Sequence, residues 1–381
     1  MSNLLASFID NDVTQTVRNL FAIDSMTIAL LLVVITVLLC VLGFSSWLKR
    51  TYRDTVDPAM IRVFNRRIVA WLTIYTLLGV TVVLGATTTV VFFGFVSFWA
   101  LREFITMTPT RRADHRTLFW VFFVFIPLQY LLASFSGTQK WFIAFAVLIP
   151  VYGTLFISAR IAFAGEHQRF LERTAKIHFG LLICVYALSH APALLYLDLV
   201  HYNPMDSGPL ESGPLESGAI NTGAVALVQT DAANYSTWGF SKSRLLFFMV
   251  LIVQLSDLLQ FFWDRLYGRN LIAQNINPTK SWEGLVGAAL CSGAFALLLQ
   301  WLTKITPFTP YGAAIMAMVI SVMGISGTMT MSAIKRDRGI SDYGTLVQGH
   351  AGVLDRIDSI CFAAPIFYHL TRFFLGSGVN L

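Results

Sequence analysis

The sequence predicts an all-α, polytopic membrane protein of about ten transmembrane helices, and three observations carry that prediction. Of its 381 residues, 56% are hydrophobic and 13% are charged, against roughly 45–50% and about 25% for a soluble domain. The apolar residues run in long blocks, whereas a soluble core scatters them at helical or strand spacing. Those blocks are of membrane length, since a hydrocarbon core about 30 Å thick needs roughly 20 apolar residues of helix. Finally, the cations sit at the ends of the blocks, as orientation signals do. The net charge of +6 is therefore not the single basic patch that a nucleic-acid partner requires.

Taken in order, residues 1–25 form an outer segment in which Leu20, Phe21 and Ile23 hint at a short interfacial helix. One Arg and three Asp in that segment, followed by a long apolar block, argue against a cleavable signal. Helices one to six are expected near 26–48, 68–86, 88–105, 118–135, 141–163 and 179–197. The stretch from Ile68 to Leu101 is too long for one span and is cut at Ala86, Thr87 and Thr88. Residues 198–244 form the longest connection, in which Ser207 to Glu211 is repeated as Ser212 to Glu216. Its density of Gly, Ser and Pro predicts a flexible loop. The remaining region, 245–381, holds helices near 245–263, 284–302, 311–331 and 356–375.

With the cut in place, the connections 49–67, 102–117, 160–178, 264–283 and 332–356 share one side and hold 21 of the 27 Lys and Arg. Excess Lys and Arg marks the cytoplasmic side, so both termini are expected outside. The compact loops favour a bacterial inner membrane. Cys40, Cys184, Cys291 and Cys361 all lie inside apolar blocks without a Cys-x-x-Cys pair, so neither a disulfide framework nor a zinc site is expected.

The unusual polar residues crowd into the last third. Asp257 lies near the inner end of the seventh span, where an ionisable side chain faces a partner or a wet cavity, or reaches head groups. Asn277 to Gly284 leads into the eighth span, with Pro278 setting a turn. Lys280, Ser281 and free backbone N–H groups there offer a cation, a hydroxyl and donors to an anion; the same residues also read as a plain helix cap, with Glu283 on the dipole. Gly284, Ala288 and Ser292 give a small-residue face for packing within the chain or in a homodimer. The third piece, Ser332 to Asp358, packs both signs of charge, four glycines and His350 between two spans. Asp355 and Asp358 project from one helix face if the tenth span has begun. Paired carboxylates suit a hard cation such as Mg²⁺ that takes its other ligands from phosphates, while Lys335, Arg336 and Arg338 could meet phosphate directly. A positive-inside loop with compensating acids is the plainer alternative.

In this order and spacing, the three pieces resemble the phosphatidate cytidylyltransferases, the CDP-diacylglycerol synthases. The family signature reads Ser-x-x-Lys-Arg, four residues, Lys-Asp, then His-Gly-Gly, two residues, and Asp-Arg-x-Asp. Ser332, Lys335, Arg336, Asp342, His350, Gly352, Asp355, Arg356 and Asp358 fall on it without a gap. Upstream, the family's Ser-Pro-x-Lys-Thr-x-Glu-Gly is similar to Asn277 to Gly284, and its intramembrane Asp falls on Asp257. Three positions depart: Asn277 replaces Ser, Ala351 replaces the first Gly after the histidine, and Ser341 replaces a Lys.

The resemblance implies transfer of a cytidylyl group from CTP to phosphatidate at the bilayer surface, with Mg²⁺ as cofactor and a second cation possible. It implies Asp257, Asp355 and Asp358 as metal ligands, and Lys280, Lys335 and Arg336 as phosphate contacts. Ser281 and Ser332 become hydroxyl donors, and Arg338 a substitute for the charge missing at Ser341. His350 could donate to a phosphate oxygen or to the leaving pyrophosphate, and Arg356 could pair with a carboxylate or reach a phosphate. Asp342 is carried over without a derived role. Two other readings stay open: a divergent paralogue acting on another lipid phosphate, and a transporter or lipid-binding scaffold that uses Asp257 for coupling. Transporters commonly show paired repeats with broken helices, and the first half carries no partner motif.

Overall fold

Gly85 divides the first long apolar stretch. Its φ of 112° lies in the left-handed region that favours glycine, and it separates α2 (Pro58–Val83) from α3 (Ala86–Met107). The break therefore falls just before Ala86, one to three residues earlier than the expected cut at residues 86–88. A turn here needs a residue free to adopt positive φ, and threonine is not one.

The chain is described from a computed structural model that covers residues 25–51, 58–108, 111, 114–197, 200–202, 235–237, 242–339 and 352–376. Among the described residues, α1 (Ser25–Thr51) precedes α2 and α3. Then come α4 (His115–Ser134), α5 (Gln139–Ala162), α6 (Phe170–Tyr196), α7 (Ser243–Leu266), α8 (Trp282–Thr303) and α9 (Pro310–Asp337). The last is α10 (Leu354–Gly376). Every expected helix meets an observed one, and the all-α, polytopic architecture holds. Seven, α3 to α9, are long and apolar enough to cross a membrane. Helices α1 and α2 contain shorter apolar stretches, Thr27–Gly43 and Trp71–Val83, and α10 carries Asp355, Arg356, Asp358, His369 and Arg372.

Three spans widen into π-type winding where proline interrupts the ladder. Val121–Phe125 precedes Pro127 in α4, Leu148–Gly153 contains Pro150 in α5, and Leu182–Ala187 lies a turn before Pro192 in α6. Proline lacks the N–H and crowds the carbonyl four residues back, so a local widening lets the helix continue. Helix α5 lies at the periphery, with 22% of its apolar window buried, whereas α6 is 72% buried and runs through the middle.

Three connections differ from expectation. Residues 332–337, expected in the connection 332–356, continue α9 as helix, so Ser332, Lys335 and Arg336 stand on a rigid element. The segment around Pro278 is not a simple turn: β4 (Asn277–Ser281) pairs antiparallel with β3 (Leu271–Ala273), Leu271 opposite Ser281 and Ala273 opposite Asn277. The long connection is likewise not all loop, because β1 (Val200–Tyr202) pairs with β2 (Tyr235–Thr237). The expected interfacial helix in residues 1–24 and the repeat at 207–216 lie outside the described residues. All four cysteines are free.

The motif-bearing helices pack as one layered group, α7 on α8 and α9, α8 on α9, and α9 on α10. The small-residue face of α8 is used within the chain: Gly284, Ala288 and Ser292 are buried, and a Cβ on Gly287 or Gly293 would run into Trp263 or Met318. Helix α9 approaches α10 at Gly327, where an added Cβ would lie 2.6 Å from the Asp358 carbonyl oxygen and 2.9 Å from Phe362. Only glycine permits that approach.

Candidate active site

Helix α7 supplies one polar stripe. Asp257, Gln260 and Asp264 recur at intervals of three and four residues, which puts them on one helix face. The stripe ends where α7 meets the β3–β4 hairpin and the start of α8. There Asp264 Oδ1 accepts from the Ser281 backbone N–H (2.9 Å) and the Ser281 hydroxyl (2.7 Å). Ser281 Oγ in turn accepts from the Gly284 N–H at 3.0 Å as the N-cap of α8. The cap reading of Ser281 is thus realised, and both hydrogen-bonding capacities of its hydroxyl are in use.

Lys280 points back onto the same stripe. Its ammonium donates to Gln260 Oε1 and lies 3.9 Å from Asp264 Oδ2. Glu283 accepts from the backbone N–H groups of Arg269 (3.3 Å) and Asn270 (3.2 Å) and from the Asn270 amide (2.6 Å). The other edge of the hairpin rests on the end of α9: Asn277 Nδ2 donates to Ser332 Oγ at 3.3 Å and Arg336 Nε to the Ile276 carbonyl at 3.3 Å. The hairpin is therefore fastened from α8 and α9, and it holds Lys280 against α7.

Helices α9 and α10 bring the signature together. Lys335 Nζ donates to Asp355 Oδ1 at 2.7 Å, with both side chains mostly buried. One turn further, Asp358 Oδ1 accepts from the Ser359 N–H at 2.8 Å, and Asp257 Oδ2 accepts from the Ser359 hydroxyl at 2.8 Å. Ser359 carries one hydroxyl proton, which the shorter contact gives to Asp257 over Asp358 (3.4 Å). Its oxygen then accepts from Thr328 Oγ1 at 3.0 Å. Two carboxylates 101 positions apart in sequence are thus joined through one serine. The charges on Asp257, Asp355 and Lys335 all act on Asp358.

Of the expected residues, Asp257, Lys280, Ser281, Ser332, Lys335, Asp355 and Asp358 converge at this end of the bundle. Arg336 is exposed and engaged with the hairpin, Arg338 ends α9 beside Asp337 at 3.2 Å, and Arg356 is exposed on α10. Asp342 and His350, together with Ser341 and Ala351, lie outside the described residues. Among the described residues no group of three or more His, Cys, Asp or Glu gathers closely enough to hold a metal ion. The donor set nevertheless fits Mg²⁺, which takes one or two carboxylates and completes its shell with water and phosphate oxygens.

Sequence reading missed four residues. Asp264 and Gln260 carried a signal, the helical repeat from Asp257. Ser359 adjoined the signature. Glu103, in α3, stood out only as an acid in an apolar block: its carboxylate accepts from the N–H groups of Val353 (3.1 Å) and Leu354 (2.9 Å) at the start of α10.

The sequence pattern of the cytidylyltransferase family matches residues 65–374. The uncharacterized protein YnbB of Escherichia coli (strain K12) is 30% identical over 285 residues, 75% of this chain and 79% of that protein. A phosphatidate cytidylyltransferase of Haemophilus influenzae is 31% identical over 134 residues, 34% of this chain and 46% of its own length. One of Mycobacterium leprae is 32% identical over 120 residues, 32% of this chain and 38% of its own. The chain spans less than half the length of these two named enzymes. The family match, in contrast, takes in α3 to α9 whole, together with the carboxylates and lysines that those helices and α10 bring to one end. The chain belongs to the cytidylyltransferase family of nucleotidyltransferase enzymes.

Proposed function

We propose that the chain transfers the cytidylyl group of CTP to phosphatidate, giving CDP-diacylglycerol and pyrophosphate at the cytoplasmic face of a bacterial inner membrane. The observation that carries this reading is the junction of Asp257 with Asp358 through Ser359, with the Lys335–Asp355 pair one turn away. It places acidic and basic groups together at the bundle end where α7, α9 and α10 meet. The excess of Lys and Arg in the connections at this end supports the cytoplasmic assignment.

The phosphate of phosphatidate is largely dianionic near neutrality, since a phosphomonoester's second pKa is about 6. An oxygen of that phosphate can therefore attack the α-phosphorus of CTP without a dedicated base. A P–O bond forms to the lipid phosphate, the bond to the β-phosphate breaks, and pyrophosphate leaves with its electrons. What remains for the protein is placement and charge stabilisation. Asp257 and Asp358 would hold Mg²⁺, which when bound neutralises charge on the triphosphate, while Asp355 stays paired with Lys335. Lys335 and Lys280 supply fixed positive charge, Ser332 a hydroxyl at the hairpin edge, and Arg336 and Arg356 cations at the water-facing rim. Asp342 and His350 belong to the same segment by sequence. The acyl chains stay in the bilayer.

A second reading, a paralogue with another lipid phosphate as acceptor, is favoured by Asp264. It sits beside Lys280 and offsets its charge, and Ser341 removes another cation from the signature. One assay separates the two: purified protein in vesicles is given CTP and Mg²⁺ with phosphatidate or with other lipid phosphates. CDP-diacylglycerol from phosphatidate supports the first reading, product from another lipid phosphate alone supports the second, and no product with any acceptor refutes both.

A further inference from the structure

We infer that Glu103 is a positioning residue for the carboxylates of α10, supplied by the half of the chain that carries none of the signature. The inference rests on the reading of Asp355 and Asp358 as site residues. The first N–H groups of a helix have no partner inside it. At the start of α10 two of them, those of Val353 and Leu354, donate to the two oxygens of one carboxylate, Glu103 Oε1 and Oε2, at 3.1 and 2.9 Å. Glu103 lies 250 positions earlier, near the end of α3, and is 8% exposed. Trp99 Nε1, one turn back on α3, donates to Oε1 at 3.1 Å and fixes the carboxylate's orientation. A buried carboxylate on a helix N-terminus is also favoured by the helix dipole.

What this clamp holds is specific. Asp355 is the first residue after the clamped pair and meets Lys335; Asp358 and Ser359 follow within one turn and meet Asp257. A helix gripped at its first residue by α3 and pressed onto Gly327 of α9 has its rotation and height set at both contacts. Asp358 is therefore placed by three helices from both halves of the chain. This accounts for an acid in the apolar block 86–107 that has no role in topology, since it lies among residues where the positive-inside bias counts only Lys and Arg.

The test is Glu103→Gln, which keeps the side chain's shape but leaves one oxygen to accept two N–H groups. Hydrogen exchange is followed over 353–359 in wild type and variant, and kcat and KM are measured with CTP and phosphatidate. The inference predicts faster exchange at Val353 and Leu354 that extends to Ser359, with α9 unchanged. It also predicts a kcat lower by roughly tenfold or more, as misplacement of catalytic groups produces, at a KM for CTP within about twofold of wild type, and partial recovery of kcat in Glu103→Asp. Unchanged exchange, exchange confined to 353–354, or a kcat that falls only with the folded fraction overturns it. Absence of turnover in the wild type is a failure of the proposed activity, seen before any variant is made, and the exchange over 355–359 still decides the positioning claim.

Discussion

Ser359 shows how much rests on one hydroxyl: it donates to Asp257, accepts from Thr328, and its N–H holds Asp358. Ser359→Ala keeps the backbone bond to Asp358 but removes the link to Asp257. A loss of kcat of about 10-fold or more is expected, in proportion to lost orientation, with the protein's thermal midpoint little changed; an unaltered kcat would remove Ser359 from the site. At Ser341 the expected gain runs the other way. Ser341→Lys adds a cation to the segment proposed to meet the triphosphate, so the KM for CTP should fall when measured in vesicles, and an unchanged KM means another residue supplies that charge. The signature itself was legible in sequence because its residues lie close together, between Ser332 and Asp358, and resemble a known family's pattern. Ser359 was not, because a serine beside an aspartate acquires meaning only when α7 delivers Asp257 to it.

At the scale of elements, the approach of α9 to α10 depends on Gly327. Gly327→Ala would place a methyl against the Asp358 carbonyl and Phe362. Overpacking of this kind costs typically about 1–3 kcal/mol, and here it also shifts Asp358, so activity should fall by more than the loss of stability explains. A second element-level device lies at the same end of the first half. Asp114, before α4, and Arg173, in α6, form a buried pair: Arg173 Nε lies 3.0 and 3.1 Å from the two carboxylate oxygens and Nη1 donates to the Glu166 carbonyl at 3.0 Å. Breaking a buried pair by removing one partner is destabilising by about 3–5 kcal/mol. Arg173→Met should lower the unfolding midpoint in detergent sharply, and pairing it with Asp114→Leu should restore much of it. Helix existence was readable from apolar blocks, yet their ends were not. Residues 332–337 looked like loop because they are polar, whereas α9 simply extends past the apolar region and carries Lys335 with it.

The whole molecule ties its two halves together along α10. Glu103 holds one end, and at the other Arg372 donates to the Ser136 carbonyl (3.3 Å) and Gln139 Oε1 (2.6 Å) while its guanidinium lies 3.9 Å from the Phe142 ring centroid. No pattern in the sequence announces such pairings, since they join residues more than 200 positions apart. Orientation, in contrast, is a proposal that the cation count supports. In a Cys40→Ser background, Thr138→Cys in the exposed α4–α5 turn should react with a membrane-impermeant maleimide in intact cells, and Arg269→Cys only after permeabilisation; the opposite pattern would invert the topology. The central claim concerns chemistry, and it is tested most directly by one comparison. Purified wild type and Asp358→Asn are reconstituted with phosphatidate and given CTP labelled at the α-phosphorus with Mg²⁺. Label is expected in CDP-diacylglycerol for the wild type, with a loss of at least about 100-fold for the variant, because Asp358→Asn removes a carboxylate that would hold the charge-neutralising cation. Full turnover by Asp358→Asn, or a wild type that labels no lipid phosphate, would contradict it.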